Sequence, residues 1–305
     1  MAVDAPAPRR ARTFAEFEAI DEAVFPTEQI AASLAAYRPR PSDVIITPYS
    51  KCGTTWLQQI FHTLRTRGDM DFDDISRVVP WIETALTLGL DINAAQRAEP
   101  RGFKSHASFD EVPKGARYIV ALREPKDAFV SLYHFMEGWF FEPGAISMAE
   151  FAQRYIDRHA NGGGYWRHLT SWWAQRDNPD VLILAYEQML ADPGAAIRAV
   201  AGFSGIPLDD ALAALTLERS SFAFMAAHKD RFDEAMNREL SETRGGLPRG
   251  SDSAKVRRGR VGGHATELSP QMAAALDAIW TGVVLPVTGL ADYAALLAEI
   301  ARRNG

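Results

Sequence analysis

The chain has 305 residues, 47% hydrophobic and 24% charged, enough for one large α/β domain or two small ones. Its 33 Lys and Arg against 39 Asp and Glu leave a formal net charge of −6, which weighs against non-specific nucleic-acid binding but leaves room for local basic sites. The single cysteine, Cys52, excludes an intrachain disulfide and a cysteine-based metal cluster and suits a reducing compartment.

Residues 1–12, basic and rich in Pro and Ala, read as a flexible arm without the apolar core of a secretory signal. No apolar run approaches the ~18 residues that a membrane span needs. Short apolar strands are predicted at 44–47, 101–104, 118–122 and 181–185. Helical periodicity covers 13–23, 54–66, 82–88, 125–137, 148–159, 165–176, 193–204, 209–217, 270–283 and 291–302. Pro125 suits a first helical position, and Ser269-Pro270 reads as a cap and first turn. The alternation implies a three-layer α/β/α fold, P-loop-like, with a mostly parallel central sheet. One domain is expected over 13–305. Within it, 229–264 is polar, carries nine Arg or Lys, and offers little regular pattern, so it reads as a lid-like loop.

The most informative stretch is 44–57, where Val44-Ile45-Ile46 leads through Tyr49-Ser50-Lys51-Cys52-Gly53 into a helix starting at Thr54-Thr55-Trp56. Strand, tight loop and helix in that order aim unsatisfied first-turn N–H groups and the positive end of the helix dipole at one point, which makes an anion site. Lys51 adds a full charge, and the two threonines add hydroxyls. A Walker A loop has Gly, four residues, then Gly-Lys-Ser/Thr; here Lys51 precedes Gly53 and no Gly opens the loop. A second strand delivers Arg123 at its carboxyl end, ahead of Pro125 and Ser131, at the edge where open α/β sheets bind ligands. A guanidinium and a hydroxyl there suit a second phosphate.

The order Lys-x-Gly-Thr-Thr-Trp resembles the 5′-phosphosulfate loop of the sulfotransferases that use 3′-phosphoadenosine 5′-phosphosulfate (PAPS), which usually reads Tyr-Pro-Lys-Ser-Gly-Thr-Thr-Trp. The Arg123-to-Ser131 stretch resembles that family's 3′-phosphate segment, with Glu124 in place of the usual Asp or Asn. Arg257-Arg258-Gly259-Arg260-Val261-Gly262 looks like its Arg-Lys-Gly-x-x-Gly closing element, although Gly263-His264 stands where Asp-Trp often follows. Ser220-Ser221-Phe222 and Tyr186-Glu187 resemble two further family segments. Lys104-Ser105-His106 resembles its Lys-Thr-His, in which the His is the catalytic base.

The resemblance spans about 44–263 and implies transfer of a sulfuryl group from PAPS to a hydroxyl, or less readily an amine, with release of adenosine 3′,5′-bisphosphate (PAP). It implies His106 as base, Lys51 stabilising the bridging oxygen, and Lys104 neutralising the sulfuryl oxygens. Lys51, Cys52, Gly53, Thr54, Thr55, Trp56, Arg123, Ser131, Tyr186, Ser220, Phe222, Arg257, Arg258 and Gly259 are the expected PAPS contacts. Cys52 replaces the usual Ser, and its thiol is expected to be oxidation-sensitive if the loop lowers its pKa. No metal is implied, since lysines do here what Mg²⁺ does in kinases.

Trp81, Glu83, Trp139, Phe140 and Phe141 are the candidate acceptor contacts, suggesting a small hydrophobic alcohol, phenol or sterol-like molecule, with Glu83 on a polar group. A small-molecule acceptor, no nucleic acid, no membrane span and a cytoplasmic setting are expected. Two alternatives stay open: an ATP-dependent small-molecule kinase, and a PAP-binding module without catalysis.

Overall fold

The computed structural model describes residues 8–251, 255 and 261–304. Four strands, β1 (Val44–Ile46), β2 (Gly102–Lys104), β3 (Arg117–Leu122) and β4 (Val181–Ala185), form one parallel sheet in the order β2-β1-β3-β4. Ile45 lies opposite both Phe103 and Tyr118, which fixes the register of β2, β1 and β3. Their near-continuous apolar sequences follow from burial on both faces. One face sends Ile45, Phe103, Tyr118 and Val120 into a cluster with Tyr165, Trp166, Leu169 and Trp172. The other sends Val44, Ile46, Ile119 and Ala121 against Leu57, Ile60, Phe61, Ile197 and Val200. The result is a three-layer α/β/α fold. Gly102 matters to this packing, because a Cβ there would collide with the Phe61 ring.

All four predicted strands are present, and helices Thr54–Thr66, Met148–His159 and Pro193–Ser204 fall on their predicted bounds. The structure differs in several places. Residues 82–88 form a short 3₁₀ turn, Ile82–Thr84, followed by irregular turns rather than a helix. The polar segment 229–264 holds a 3₁₀ turn, Lys229–Phe232, a helix, Ala235–Thr243, and a helical turn, His264–Glu267. The helix Ala235–Thr243 forms because Met236, Asn237 and Ser241 share a buried face, and Ser241 Oγ accepts from Trp139 Nε1 at 2.9 Å. Two helices at the N-terminal end, α1 (Phe14–Val24) and α2 (Thr27–Ala36), precede the sheet, the second unanticipated.

Pro270–Asn304 contains an 18-residue window of mean hydropathy 1.6, long and apolar enough by length and composition to cross a membrane. In the fold this stretch widens to a π-helical turn at Trp280–Val284 and breaks at Gly289, where φ is +73°. Leu276, Trp280, Val284, Leu296 and Ile300 from it join the core.

Candidate active site

β1 runs into a loop that reverses through two left-handed residues, Lys51 (φ +68°) and Gly53 (φ +95°), and delivers Thr54 to the start of α3 (Thr54–Thr66). Left-handed backbone is costly for a side-chain-bearing residue such as Lys51. The carbonyl of Lys51 accepts from Arg123 Nη1 at 2.8 Å, which ties the loop to the carboxyl end of β3. Above the loop opens a cleft of about 770 Å³ lined by Lys51, Gly53, Thr54, Thr55, Trp56, Lys104, His106 and Arg123 among others. The Arg123 guanidinium lies 4.4 Å from the Tyr186 ring centroid, and Trp56 meets that ring edge-on.

His106 follows β2 by two residues. Its Nδ1 lies 2.7 Å from the Pro48 carbonyl. A carbonyl only accepts, so Nδ1 carries the proton and Nε2 keeps its lone pair. Burial, reinforced by the Lys104 charge, pushes the imidazole down to about 3, so it is neutral in the free protein. The His106 ring stands edge-on to Trp81 at 5.3 Å, and the Lys104 ammonium sits over Trp81 at 4.0 Å. Lys51 Nζ lies 4.3 Å from the Phe135 ring. Burial lowers Lys51 to about 7, with Lys255 the next cause and Glu234 opposing.

Several expected contacts lie elsewhere. Cys52 is fully buried outside the cleft lining, and its N–H donates to the Tyr49 carbonyl at 3.1 Å. Burial pushes its thiol up to about 12, the opposite of the activation considered from sequence. Glu83 is buried behind His106, where its Oε1 accepts from Ser105 Oγ at 2.8 Å and from His106 N–H at 2.7 Å, so it does not line the cleft. Phe141 packs its ring against Phe14 and Phe17 and also misses the cleft. Trp81, Trp139, Phe140, Ser131, Ser220 and Phe222 do line it, although Ser220 Oγ already donates to the Thr216 carbonyl at 2.7 Å. Arg257, Arg258 and Gly259 lie outside the described residues.

Sequence reasoning missed two groups. Phe17, Asp21 and Glu22 of α1, with Phe25 and Ile30, wall the cleft; nothing in the amphipathic pattern of 13–23 marks that face as a site wall. Glu234 and Lys255, from the polar segment 229–264, line the cleft beside Lys104. Among the described residues, no group of three or more His, Cys, Asp or Glu is placed to hold a metal ion.

Residues 41–285 match the family model described as the sulfotransferase domain. The chain belongs to the sulfotransferase family. Sulfotransferase 1B1 of Canis lupus familiaris is 29% identical over 205 residues, covering 63% of this chain and 69% of that protein. Luciferin sulfotransferase of Photinus pyralis is 26% identical over 262 residues, covering 74% and 69%. Among solved structures, retinol dehydratase in complex with androsterone and inactive cofactor PAP superposes with a TM-score of 0.68 at 19% identity over 90% of this chain and 94% of that one. Mouse sulfotransferase SULT7A1 complexed with PAP gives 0.65 at 22% identity over 92% and 96%. This sulfotransferase is thus an enzyme with PAPS as co-substrate and PAP as product.

The loop fits such a ligand. Thr54 Oγ1 and Trp56 Nε1 are buried at the cleft with no hydrogen-bond partner among the described residues. Buried polar atoms without partners are costly, and a polar ligand would satisfy them. Thr54, Thr55 and Trp56 begin α3, so their N–H groups have no acceptor within the helix.

Proposed function

We propose that this sulfotransferase moves the sulfuryl group of PAPS to the hydroxyl of a small, mainly hydrophobic acceptor by in-line displacement, with His106 as the base and Lys51 and Lys104 as the stabilising cations. The observation that carries this reading is the fixed tautomer of His106, whose Nε2 lone pair is free in the same cleft as both lysines. PAPS supplies the sulfuryl group. Lys51, Thr54, Thr55 and Trp56 would hold its 5′ end, Arg123 and Ser131 its 3′-phosphate with Arg257 and Arg258 from the lid, and Tyr186 and Phe222 would border the adenine.

His106 takes the acceptor proton at Nε2, and Pro48 stabilises the imidazolium through Nδ1–H. A base of pKa about 3 would be weak. The negative phosphosulfate raises it, because an anion nearby favours the protonated ring. Lys51 and Lys104 meet the charge that builds on the bridging and sulfuryl oxygens. Phe17, Phe25, Ile30, Trp81 and Phe140 give the acceptor end apolar walls, which favours an aromatic or alicyclic alcohol. The retinol dehydratase neighbour holding androsterone supports an acceptor of that size. The cytosolic-type relatives favour a cytoplasmic setting.

Isotope-labelled PAPS offered with a panel of phenols and sterols tests the proposal. His106→Ala should abolish transfer while PAP still binds. Retained transfer, or joint loss of transfer and PAP binding, would remove His106 from the role of base.

A further inference from the structure

We propose that Glu234 is a positioning residue for sulfuryl transfer, a fixed carboxylate that holds Lys104 and Lys255 at the reacting end of the cleft, and that Lys255 is a third cation of that site. The proposal rests on the reading of the cleft given above. Glu234 Oε1 accepts from the ammonium groups of both Lys104 and Lys255. Lys104 ends β2 in the central sheet, whereas Lys255 belongs to the polar segment expected to close over the ligand. One carboxylate oxygen therefore joins the catalytic strand to the lid.

The carboxylate is not a loose arm that an incoming anion would push aside. Glu234 is itself left-handed (φ +52°), between the turn Lys229–Phe232 and the helix Ala235–Thr243. On one side Phe232 is fully buried; on the other the Met236 N–H donates to the buried Asp74 carboxylate at 3.1 Å. Both flanks are anchored, so the backbone holds Glu234 at the cleft and its two lysine contacts orient the carboxylate.

Charge counting gives the anchored carboxylate a purpose. Lys51, Lys104 and Lys255 with Glu234 leave a net two positive charges, which matches the two negative charges of a phosphosulfate. Three lysines crowded out of water would otherwise shed protons. Burial lowers Lys255 to about 8, and Glu234 raises both that group and Lys51. The other charged or titratable groups facing the cluster are His106, which Glu234 also raises, Arg123 beside Lys51, and Asp74 beside Lys255. Glu234 does not stand out in sequence, since it lies 130 positions from Lys104.

The test uses the full chain with Glu234→Gln, Glu234→Asp and Lys255→Met. It measures kcat and KM for PAPS from pH 6 to 9, PAP affinity by calorimetry, and the melting temperature. For Glu234→Gln the alkaline fall in kcat should move down by about one pH unit, so that kcat drops about tenfold at a pH well above both midpoints. Glu234→Asp keeps the charge and should restore the wild-type profile, even where the Gln variant folds poorly. Lys255→Met should lower kcat about tenfold at an unchanged melting temperature. A Glu234→Gln protein that melts earlier but keeps the wild-type pH profile would make Glu234 merely structural and overturn the proposal. So would a fall in KM at constant kcat, which marks a displaceable blocking group, or a Lys255→Met enzyme like wild type. Transfer that survives His106→Ala would instead count against the base assignment and leaves these pH profiles to judge Glu234 independently.

Discussion

The backbone N–H of His106 donates at 2.7 Å to the buried carboxylate of Glu83, which also accepts from Ser105 Oγ. The proposed base is therefore held from two sides, by Glu83 at its main chain and by Pro48 at its ring. Burial raises the Glu83 pKa, while the two donors pull it back. Removing the carboxylate leaves two buried donors without their acceptor, at about 1–3 kcal/mol each. Glu83→Ala should lower stability by several kcal/mol. Glu83→Gln keeps one acceptor oxygen and should fold, but with reduced kcat and an unchanged KM for PAPS. A Gln variant with full kcat would show that His106 needs no such support.

The phosphate loop depends on Gly53. Its φ of +95° is a conformation that L side chains rarely adopt, and a Cβ there would stand 3.0 Å from Tyr186 Cδ2. Gly53→Ala should cost about 1–2 kcal/mol in strain. It should also weaken PAP binding, because relief requires either the loop or the Tyr186 ring beneath Arg123 to shift. Calorimetric titration with PAP checks this; an affinity equal to wild type would mean that the loop tolerates a right-handed turn.

Much of this site was legible because its key pieces are local. The strand, loop and helix around Lys51 sit within a few residues of each other, as do β3 and the Arg123 that follows it, so each piece reads from local spacing, and the parallel pairing of β1 with β3 brings the two to one end of the sheet. Where contacts span the chain, sequence falls silent. Phe140 reaches the cleft and Phe141, its neighbour, turns to Phe14 and Phe17, a choice made by how α1 packs. Glu83 looked like an acceptor ligand, but the isolated Trp81–Lys104 bridge directs it behind His106 instead. The polar look of 229–264 hid the helix Ala235–Thr243, whose buried face is largely polar and finds its partner in Trp139.

Nucleotide binding should take up protons. In the free protein Lys51 lies at about 7 and Lys255 at about 8, lowered first by burial. An anion placed between them raises both, so the bound state holds more protons and affinity falls as pH rises. The second ionisation of a phosphate lies near 6, so the range from pH 7.5 to 9 isolates the lysines. Across it PAP affinity should fall, by at most about tenfold per unit for each proton taken up. Calorimetry in buffers of different ionisation heat should register proton uptake at pH 8. Zero uptake there would mean that both ammonium groups are already protonated without ligand.

Acid should destabilise the fold through His168, which lies outside the cleft lining. Its Nε2–H donates to the Thr47 carbonyl at 2.9 Å, just ahead of the phosphate loop, and burial lowers its pKa to about 4. An unfolded histidine titrates near 6.5. Between those values the unfolded chain binds a proton that the folded chain refuses, so stability is lost as pH falls below about 6.5, and this contribution stops growing near pH 4. The loss reaches about 2 kcal/mol at pH 5 for this one residue. His62, lowered to about 3 by burial, acts in the same direction. Asp21, raised to about 6 by burial, acts against them, since its folded form gains a proton first. Comparison with His168→Gln separates the histidine from these neighbours. Gln can keep the bond to Thr47 and does not titrate, so urea unfolding should show the gap between the two proteins moving in the variant's favour by about 2 kcal/mol from pH 7 to pH 5. Parallel stability curves would mean that His168 takes up its proton in the folded protein as easily as in the unfolded one.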